Sequence, residues 1–142
     1  MGLDMAEDAN LVEFRRWYSQ GEHDLAAARS SSGSGHFEWA CFQAHQAAEK
    51  ALKEFLFLNG RRAVISHSVT NLLSECQKID SFFSAAHSAR ELDQYYIPTR
   101  YPNGLPEQIP HKYFDQEDAR KCIAHADTVL KLVNERAKPS IS

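Results

Sequence analysis

A chain of 142 residues can bury one hydrophobic core, and its 43% hydrophobic and 25% charged content excludes wholesale disorder. Its 16 Lys and Arg residues are outnumbered by 19 Asp and Glu, which argues against a protein that binds nucleic acid by neutralising many phosphates. No apolar run is long enough to cross a bilayer, and no signal-peptide pattern opens the chain, so we expect a cytoplasmic protein without membrane contact.

The chemistry-bearing residues show no familiar metal or nucleotide-hydrolysis motif. Cys41, Cys76 and Cys122 are odd in number and form no C-x-x-C pair, so we expect reduced, buried thiols. The seven histidines show no ligand spacing with Cys or with paired carboxylates, which predicts no metal site. A P-loop and a dinucleotide fingerprint are both absent from the sequence.

The first helix is predicted from about residue 10 to residue 30, because apolar residues recur at alternating spacings of three and four. Asn10 is expected to be its N-cap, with Glu13 completing a capping box. Residues 1–10 are expected to be a tail, either disordered or foreign to the natural chain. The Ser- and Gly-rich stretch 30–35 then predicts a turn.

The second helix is predicted over residues 36–58 and ends at Asn59-Gly60, a typical C-terminal cap. Small side chains let a neighbouring helix approach closely, and alanine has the best helix propensity. The apolar stripe of this helix is rich in alanine: Phe37, Ala40, Cys41, Ala44, Ala47, Ala48, Ala51, Leu52 and Phe55.

A third helix is predicted to begin after a cap at Ser66 and to be interrupted at Asp80-Ser81, which leaves open whether two helices or one bent helix follow. Four prolines between residues 97 and 114 exclude a regular helix there. Asp115 is expected to cap a last helix. Residues 11–137 thus predict an all-α, up-and-down antiparallel bundle of four or five helices with a long proline-rich loop before the last helix, followed by a tail at 138–142.

Four stretches resemble one known family. The run WACFQAHQAAEKALK at 39–53 resembles the signature helix of HEPN domains. The run DLAAA at 24–28 is similar to part of their first helix, and HSV at 67–69 to the opening of their third. The run YIPTRYP at 96–102 is similar to their proline-bearing loop. Its last three residues, Arg100-Tyr101-Pro102, followed by Gln108-Ile109-Pro110, resemble the sacsin branch of the family.

This resemblance implies a helical bundle, commonly a homodimer, with nucleotide-binding capacity proposed for many members. Stand-alone prokaryotic members pair with nucleotidyltransferases, whereas the sacsin branch belongs to a large chaperone-linked protein. The leading expectation is therefore a non-catalytic module that binds a nucleoside phosphate such as GTP or ATP, dimerises, and belongs to a larger protein with chaperone-system partners. A ribonuclease or nucleotidyltransferase partner is the alternative, and a pure interaction domain is a second one.

The candidate nucleotide site consists of Arg100, Tyr101, His67, Lys50 and Lys53. Arg and Lys suit phosphates, Tyr and His offer flat faces for a base, and free donors at the start of the third helix would favour an anion near His67. A structural explanation stays open. The lysines could be ordinary solvated side chains, and Arg100 could tie the proline loop to carbonyls or to a carboxylate such as Asp24.

Two further hypotheses depend on other residues. An Arg followed by a His, the pattern of HEPN ribonucleases, occurs at Arg62 and His67 and again at Arg120 and His125, but the first pair lies before the wrong helix and the second lacks the usual polar residue after the arginine. The alanine-rich face of the second helix could form a two-fold dimer interface. The proline-rich segment is unusually rich in residues that could pack on the bundle or face a partner: Tyr95, Tyr96, Tyr101, Ile109, Tyr113 and Phe114.

Overall fold

A computed structural model of the protein describes residues 5–61 and 65–137. No strand occurs in those two ranges, so the predicted all-α helical bundle is confirmed. The helices are α1 (Met5–Gly33), α2 (Phe37–Leu58), α3 (Val69–Ile79), a 3-10 segment η1 (Ser81–Tyr95), the short α4 (Pro110–Tyr113) and α5 (Gln116–Ala137), with a 3-10 turn at Pro102–Gly104.

Helix α2 lies at the centre of the bundle and contacts α1, α3, α4, α5 and η1. The side of α2 that we call the alanine face is formed by residues without any solvent exposure: Ala40, Ala44, Ala47, Ala48 and Ala51. Helix α1 approaches α2 so closely that a Cβ on Gly21 would lie 3.3 Å from the carbonyl oxygen of Ala47. Because these alanines are buried within one chain, the expectation that they form a two-fold dimer interface is wrong.

Both ends of α1 differ from the prediction. The helix begins at Met5 rather than after Asn10, so Asn10 lies inside the helix and is not its N-cap. Ala6, Glu7 and Ala9 are good helix formers, which explains why the helix extends further toward the N-terminus. The helix also continues to Gly33 through the serines that were expected to break it, and the chain turns at Gly35, which has φ +82°. Residues 1–4 lie outside the described ranges.

The uncertain boundary after α3 is resolved as two helical elements. Asp80 ends α3 in an extended conformation, and its carboxylate accepts a hydrogen bond from the backbone N–H of Phe82 at the start of η1. Segment η1 is itself kinked at Ala86. The predicted cap at Ser66 is wrong by two residues, because Ser68 is the N-cap and accepts from the N–H of Asn71 at 3.1 Å.

Several other predictions are confirmed. Helix α2 ends at Asn59-Gly60 with Gly60 at φ +87°, and all three cysteines are free and buried. Asp115 precedes α5 and exchanges two backbone-to-carboxylate hydrogen bonds with Asp118, both of 3.0 Å. The residues between η1 and α5 form no helix longer than the four residues of α4. None of the described helices is long and apolar enough to span a membrane.

Candidate functional site

Opposite the alanine face, α2 carries a row of side chains that we call the polar face: Glu38, Phe42, His45, Glu49 and Lys53. Their spacings of three and four residues place them along one side of the helix. Glu38, His45 and Glu49 are buried, and they share this distinction with Thr99 alone among the described polar residues. Buried ionisable groups require partners, so this side of α2 must be matched by what packs against it.

One partner is Asp93 of η1, whose carboxylate reaches the N-terminus of α3. It accepts hydrogen bonds from the backbone N–H groups of Val69 at 2.7 Å and Thr70 at 2.9 Å, and from the Ser68 hydroxyl at 3.0 Å. Nε2 of the fully buried His45 lies 3.3 Å from the same carboxylate. The expectation that free donors at this helix end would attract an external anion is therefore wrong, because the protein supplies its own carboxylate there.

The pKa of Asp93 reflects two opposing causes. Burial acts to raise it, but the hydrogen bonds from Thr70, Val69 and Ser68 favour the ionised form and hold the pKa below its usual range. The Asp93 carboxylate is therefore a charged cap for α3 rather than a proton donor at neutral pH.

Glu49 organises a second group of contacts on the polar face. Its Oε2 accepts from Nζ of Lys53 at 2.9 Å and lies 3.2 Å from Nδ1 of His67. Its Oε1 is buried without a hydrogen-bond partner, 3.9 Å from Nδ1 of His45. The Glu49 carboxylate thus neutralises most of the positive charge that Lys53 would offer a phosphate. Since Glu49 contacts Nδ1 of the exposed His67, Nε2 is the ring nitrogen of His67 that remains for a ligand.

Arg100 completes the site and is surrounded by aromatic rings. Its Cζ lies 4.4 Å from the ring centroid of Phe42, 4.6 Å from that of Tyr96 and 5.3 Å from that of Tyr101. Nε donates a 3.0 Å hydrogen bond to the carbonyl of Tyr96, so the two Nη atoms are the donors left for a ligand. No carboxylate of a described residue pairs with this guanidinium within 4.0 Å.

Four of the five predicted site residues are joined by these contacts. Arg100 and His67 both contact the Tyr96 ring, with the His67 and Tyr96 rings stacked at 5.7 Å. Tyr101 borders Arg100, and Lys53 joins through Glu49. Lys50 instead forms a 2.6 Å ion pair with Asp24 of α1. Of the structural explanations, the tie between Arg100 and a carbonyl is confirmed, whereas Asp24 binds Lys50 rather than Arg100.

The arginine–histidine pair of α5 does not converge. Arg120 pairs with Glu117 on its own helix, while Nε2 of His125 lies 3.0 Å from Glu91 of η1. Residues five apart on a helix point in widely different directions, so one phosphodiester could not meet both side chains of a single chain. Arg62 lies outside the described ranges.

Sequence reasoning missed two contributors to this site and one separate cluster. Phe42 and Tyr96 both contact Arg100. The spacing of Phe42, His45 and Glu49 along α2 was the signal that could have placed Phe42 on the same side of the helix as the other two. His36, Glu38 and His111 also come together, with ligand atoms within 4.8 Å of one another. Spacing along the chain could not reveal this cluster, because His111 is distant in sequence.

A helical bundle with a proline-bearing arginine segment packed on the polar side of its central helix defines the class of protein. The HEPN domain profile matches residues 14–136, and the chain belongs to the HEPN domain family.

Relatives share the fold over most of the chain. The crystal structure of TT1696 from Thermus thermophilus is 35% identical, with a TM-score of 0.81 over 87% of this chain and 97% of that one. The structure of ST0689, an archaeal HEPN homologue, is 33% identical with a TM-score of 0.73, over 88% of this chain and 98% of that one.

Two curated proteins are similar in sequence. The candidate toxin MJ1304 of Methanocaldococcus jannaschii is 26% identical over 138 residues, which is 91% of this chain and 91% of that protein. Human sacsin is 28% identical over 131 residues, which is 88% of this chain but only 3% of sacsin.

Proposed function

We propose that this HEPN domain binds a nucleoside phosphate of the GTP or ATP type at Arg100. The observation that supports this most is the guanidinium itself, which is half-buried among three aromatic rings and pairs with no carboxylate of a described residue. A desolvated guanidinium without an anionic partner is costly, and a phosphate oxygen pair matches its two Nη donors.

The surrounding residues fit the remaining parts of such a ligand. Tyr101 is exposed beside Arg100, and His67 is exposed and stacked on Tyr96, so both present flat surfaces on which a base can stack. Lys53 contributes less than a free lysine would, because Glu49 already pairs with it. The proposal therefore assigns the main phosphate contact to one arginine and predicts a modest affinity.

Calorimetric titration with GTP and with ATP tests this proposal. Wild-type protein should bind at least one of them saturably, and Arg100→Ala should weaken binding at least about tenfold, since a charge-assisted hydrogen bond contributes about 1.5–3 kcal/mol. Arg90→Ala is the matched control, because Arg90 is exposed and also donates through Nε to a backbone carbonyl, that of His87. Absence of binding, or equal loss in both variants, would contradict the proposal.

Dimer formation and membership of a larger protein are separate parts of the proposal. We propose a homodimer whose interface lies outside the alanine face, and light scattering that finds only monomers would contradict it. We also propose chaperone-system partners and a place in a larger protein, and the sacsin resemblance is the support for both. The match to sacsin spans 3% of that protein, so the activity of the whole sacsin chain is not transferred to this domain.

A second candidate function is a toxin-type ribonuclease or a partner of a nucleotidyltransferase. Its support is MJ1304, which matches this chain over 91% of both proteins, so that relative has the length of a single such domain. Cleavage of RNA by purified protein, lost in His125→Ala or His67→Ala but retained in Arg100→Ala, would favour this function. Cleavage that is absent, or unaffected by both histidine variants, would remove the ribonuclease candidate.

A further inference from the structure

Three potential metal ligands meet where α2 begins and α4 passes over it. Nδ1 of His111 lies 3.1 Å from both carboxylate oxygens of Glu38, and the His36 and His111 rings are 6.0 Å apart between centroids. The ligand atoms of His36, Glu38 and His111 lie within 4.8 Å of one another. Ligands about 2.0–2.2 Å from a tetrahedral ion are roughly 3.5 Å apart, so a small rotation of the exposed rings brings all three into range.

The burial of these groups distinguishes the cluster from an ordinary surface pair. The Glu38 side chain is only 5% exposed, whereas His111 is 57% exposed. His36 is the N-cap residue of α2, yet its side chain makes no capping hydrogen bond, so the ring is not committed to the helix end. The positive end of the α2 dipole disfavours a cation here, and the adjacent Glu38 carboxylate opposes that effect.

We propose that His36, Glu38 and His111 bind a divalent transition-metal ion of the zinc class. Two imidazoles and one carboxylate suit Zn²⁺, Co²⁺ or Ni²⁺ and not Mg²⁺, which prefers oxygen ligands. Three protein ligands leave a fourth position for water or another small ligand. The ion would replace the hydrogen bond between His111 and Glu38, and Nδ1 of His111 would bind it as the bare nitrogen of a neutral imidazole, with the ring proton moved to Nε2.

Such an ion would fasten the proline-rich segment to the central helix. His111 belongs to α4, whereas His36 and Glu38 begin α2, so the metal would join parts of the chain 73 residues apart. Phe42 follows Glu38 by one helical turn, which puts the metal next to the Arg100 site without sharing a ligand with it. The two proposed sites therefore share no residue, so variants of the metal ligands and of Arg100 test them separately.

Thermal unfolding with Zn²⁺ and visible absorption with Co²⁺ test this site. Zn²⁺ at about 100 times its Kd should raise the wild-type Tm by roughly 9 °C, whereas the same concentration of Mg²⁺ should leave it unchanged. Co²⁺ should give the visible absorption of a four-coordinate ion. Both signals should disappear in His36→Gln and in His111→Gln. They should persist in the controls His23→Gln and His87→Gln, because these exposed histidines lie outside the cluster. They should also persist in Arg100→Ala.

The outcomes separate the metal site from a plain structural contact. If His111→Gln lowers the metal-free Tm while Zn²⁺ has no effect on wild type, the cluster is only a hydrogen bond, and the proposal fails. Equal loss of the Co²⁺ signal in His23→Gln would indicate adventitious surface binding and would also overturn it. His36→Gln guards against misfolding as an explanation, because its ring makes no hydrogen bond to the helix end.

Discussion

The two sides of α2 hold the bundle together in different ways. The alanine face packs against neighbouring helices with no solvent exposure, and its contribution is shape alone. The polar face carries the buried Glu38, His45 and Glu49, and its stability depends on the polar contacts that these side chains make, such as those of His45 with Asp93 and of Glu49 with His67. The contrast teaches that the first side stabilises the fold through close packing, whereas the second stabilises it only where its buried ionisable groups have partners.

The largest effect is expected on the polar side, at Asp93. Asp93→Ala should lower the free energy of unfolding by about 3 kcal/mol, because it removes a charged cap that accepts from two backbone N–H groups and a hydroxyl at the start of α3. Chemical denaturation measures this value. Asp93→Asn, which keeps the shape and loses the charge, should cost less, and a loss under about 1 kcal/mol for Asp93→Ala would contradict the account.

The lowered pKa of Asp93 also predicts how the stability of the fold changes with pH. Because the folded pKa of Asp93 is lowered, its contribution is fully present above the unfolded value of about 3.9 and disappears as pH falls through the folded pKa. Acid denaturation of Asp93→Asn should therefore show a weaker loss of stability in that range than wild type. Parallel curves for the two proteins would contradict this.

On the alanine face the expected effect comes from volume. Gly21→Val should cost about 2 kcal/mol, because the added Cβ would lie 3.3 Å from the Ala47 carbonyl and the methyl groups have no space between the helices. Gly33→Val is the matched control, since nothing lies within 4 Å of a Cβ at that helical position. Equal unfolding free energies for the two variants would show that α1 does not pack as closely as described.

A smaller, stabilising change is expected at Glu54, a carboxylate on the alanine side of α2. Burial, and then the charge of Glu13, raise its pKa to about 7, and its Oε2 is buried without a hydrogen-bond partner. Ionised Glu54 therefore destabilises the fold fully above about pH 7, and the penalty disappears as pH falls from there to the unfolded value of about 4.3.

Glu54→Gln should accordingly raise Tm at pH 8 by a few degrees, which corresponds to about 1 kcal/mol once solvent screening of this partly buried group is included. The gain should shrink at pH 5. Glu135→Gln, at an exposed position of α5, is the control and should change Tm at neither pH. A gain of equal size at both pH values would contradict the assignment.

The smallest effect is a difference in nucleotide affinity between variants of Lys50 and Lys53, which sequence spacing alone does not distinguish. Lys53→Ala should weaken GTP or ATP binding about threefold, since Lys53 is linked through Glu49 to the Arg100 site, and an exposed charge contributes less than about 1 kcal/mol. Lys50→Ala should leave affinity unchanged, because Lys50 pairs with Asp24 of α1. Calorimetry measures both, and a larger loss in Lys50→Ala would place the ligand on the other side of α2.

The sequence predicts the alanine face well and the polar face only in part. Helical periodicity in α2 and α5 follows from apolar spacing, so their cores, and the cap at Asp115, could be predicted directly. The cap of α3 could not, because Asp93 reaches it from a different element. The start of α1 was missed because a polar, helix-favouring stretch shows no apolar stripe.

The site shows the same limit. The resemblance to HEPN domains drew attention to Arg100 and His67, whereas their joint contact with Tyr96 depends on how the proline segment folds back on α2. Lys50 and Lys53 are three residues apart on one helix, yet each pairs with a different carboxylate. Lys50 reaches Asp24 of the neighbouring helix α1, whereas Lys53 pairs with Glu49 one turn earlier on α2. Tertiary placement of carboxylates is not visible in residue spacing.

The most direct test of the central claim is an NMR titration with GTP or ATP that follows side-chain signals. A ligand on the polar face should shift the Nε–H signal of Arg100 and the ring signals of His67 and Tyr101, and it should leave His23 and Arg90 unchanged. Shifts confined to residues remote from Arg100, such as Arg120 at the start of α5, would contradict the claim that the polar face and its arginine segment form the binding site.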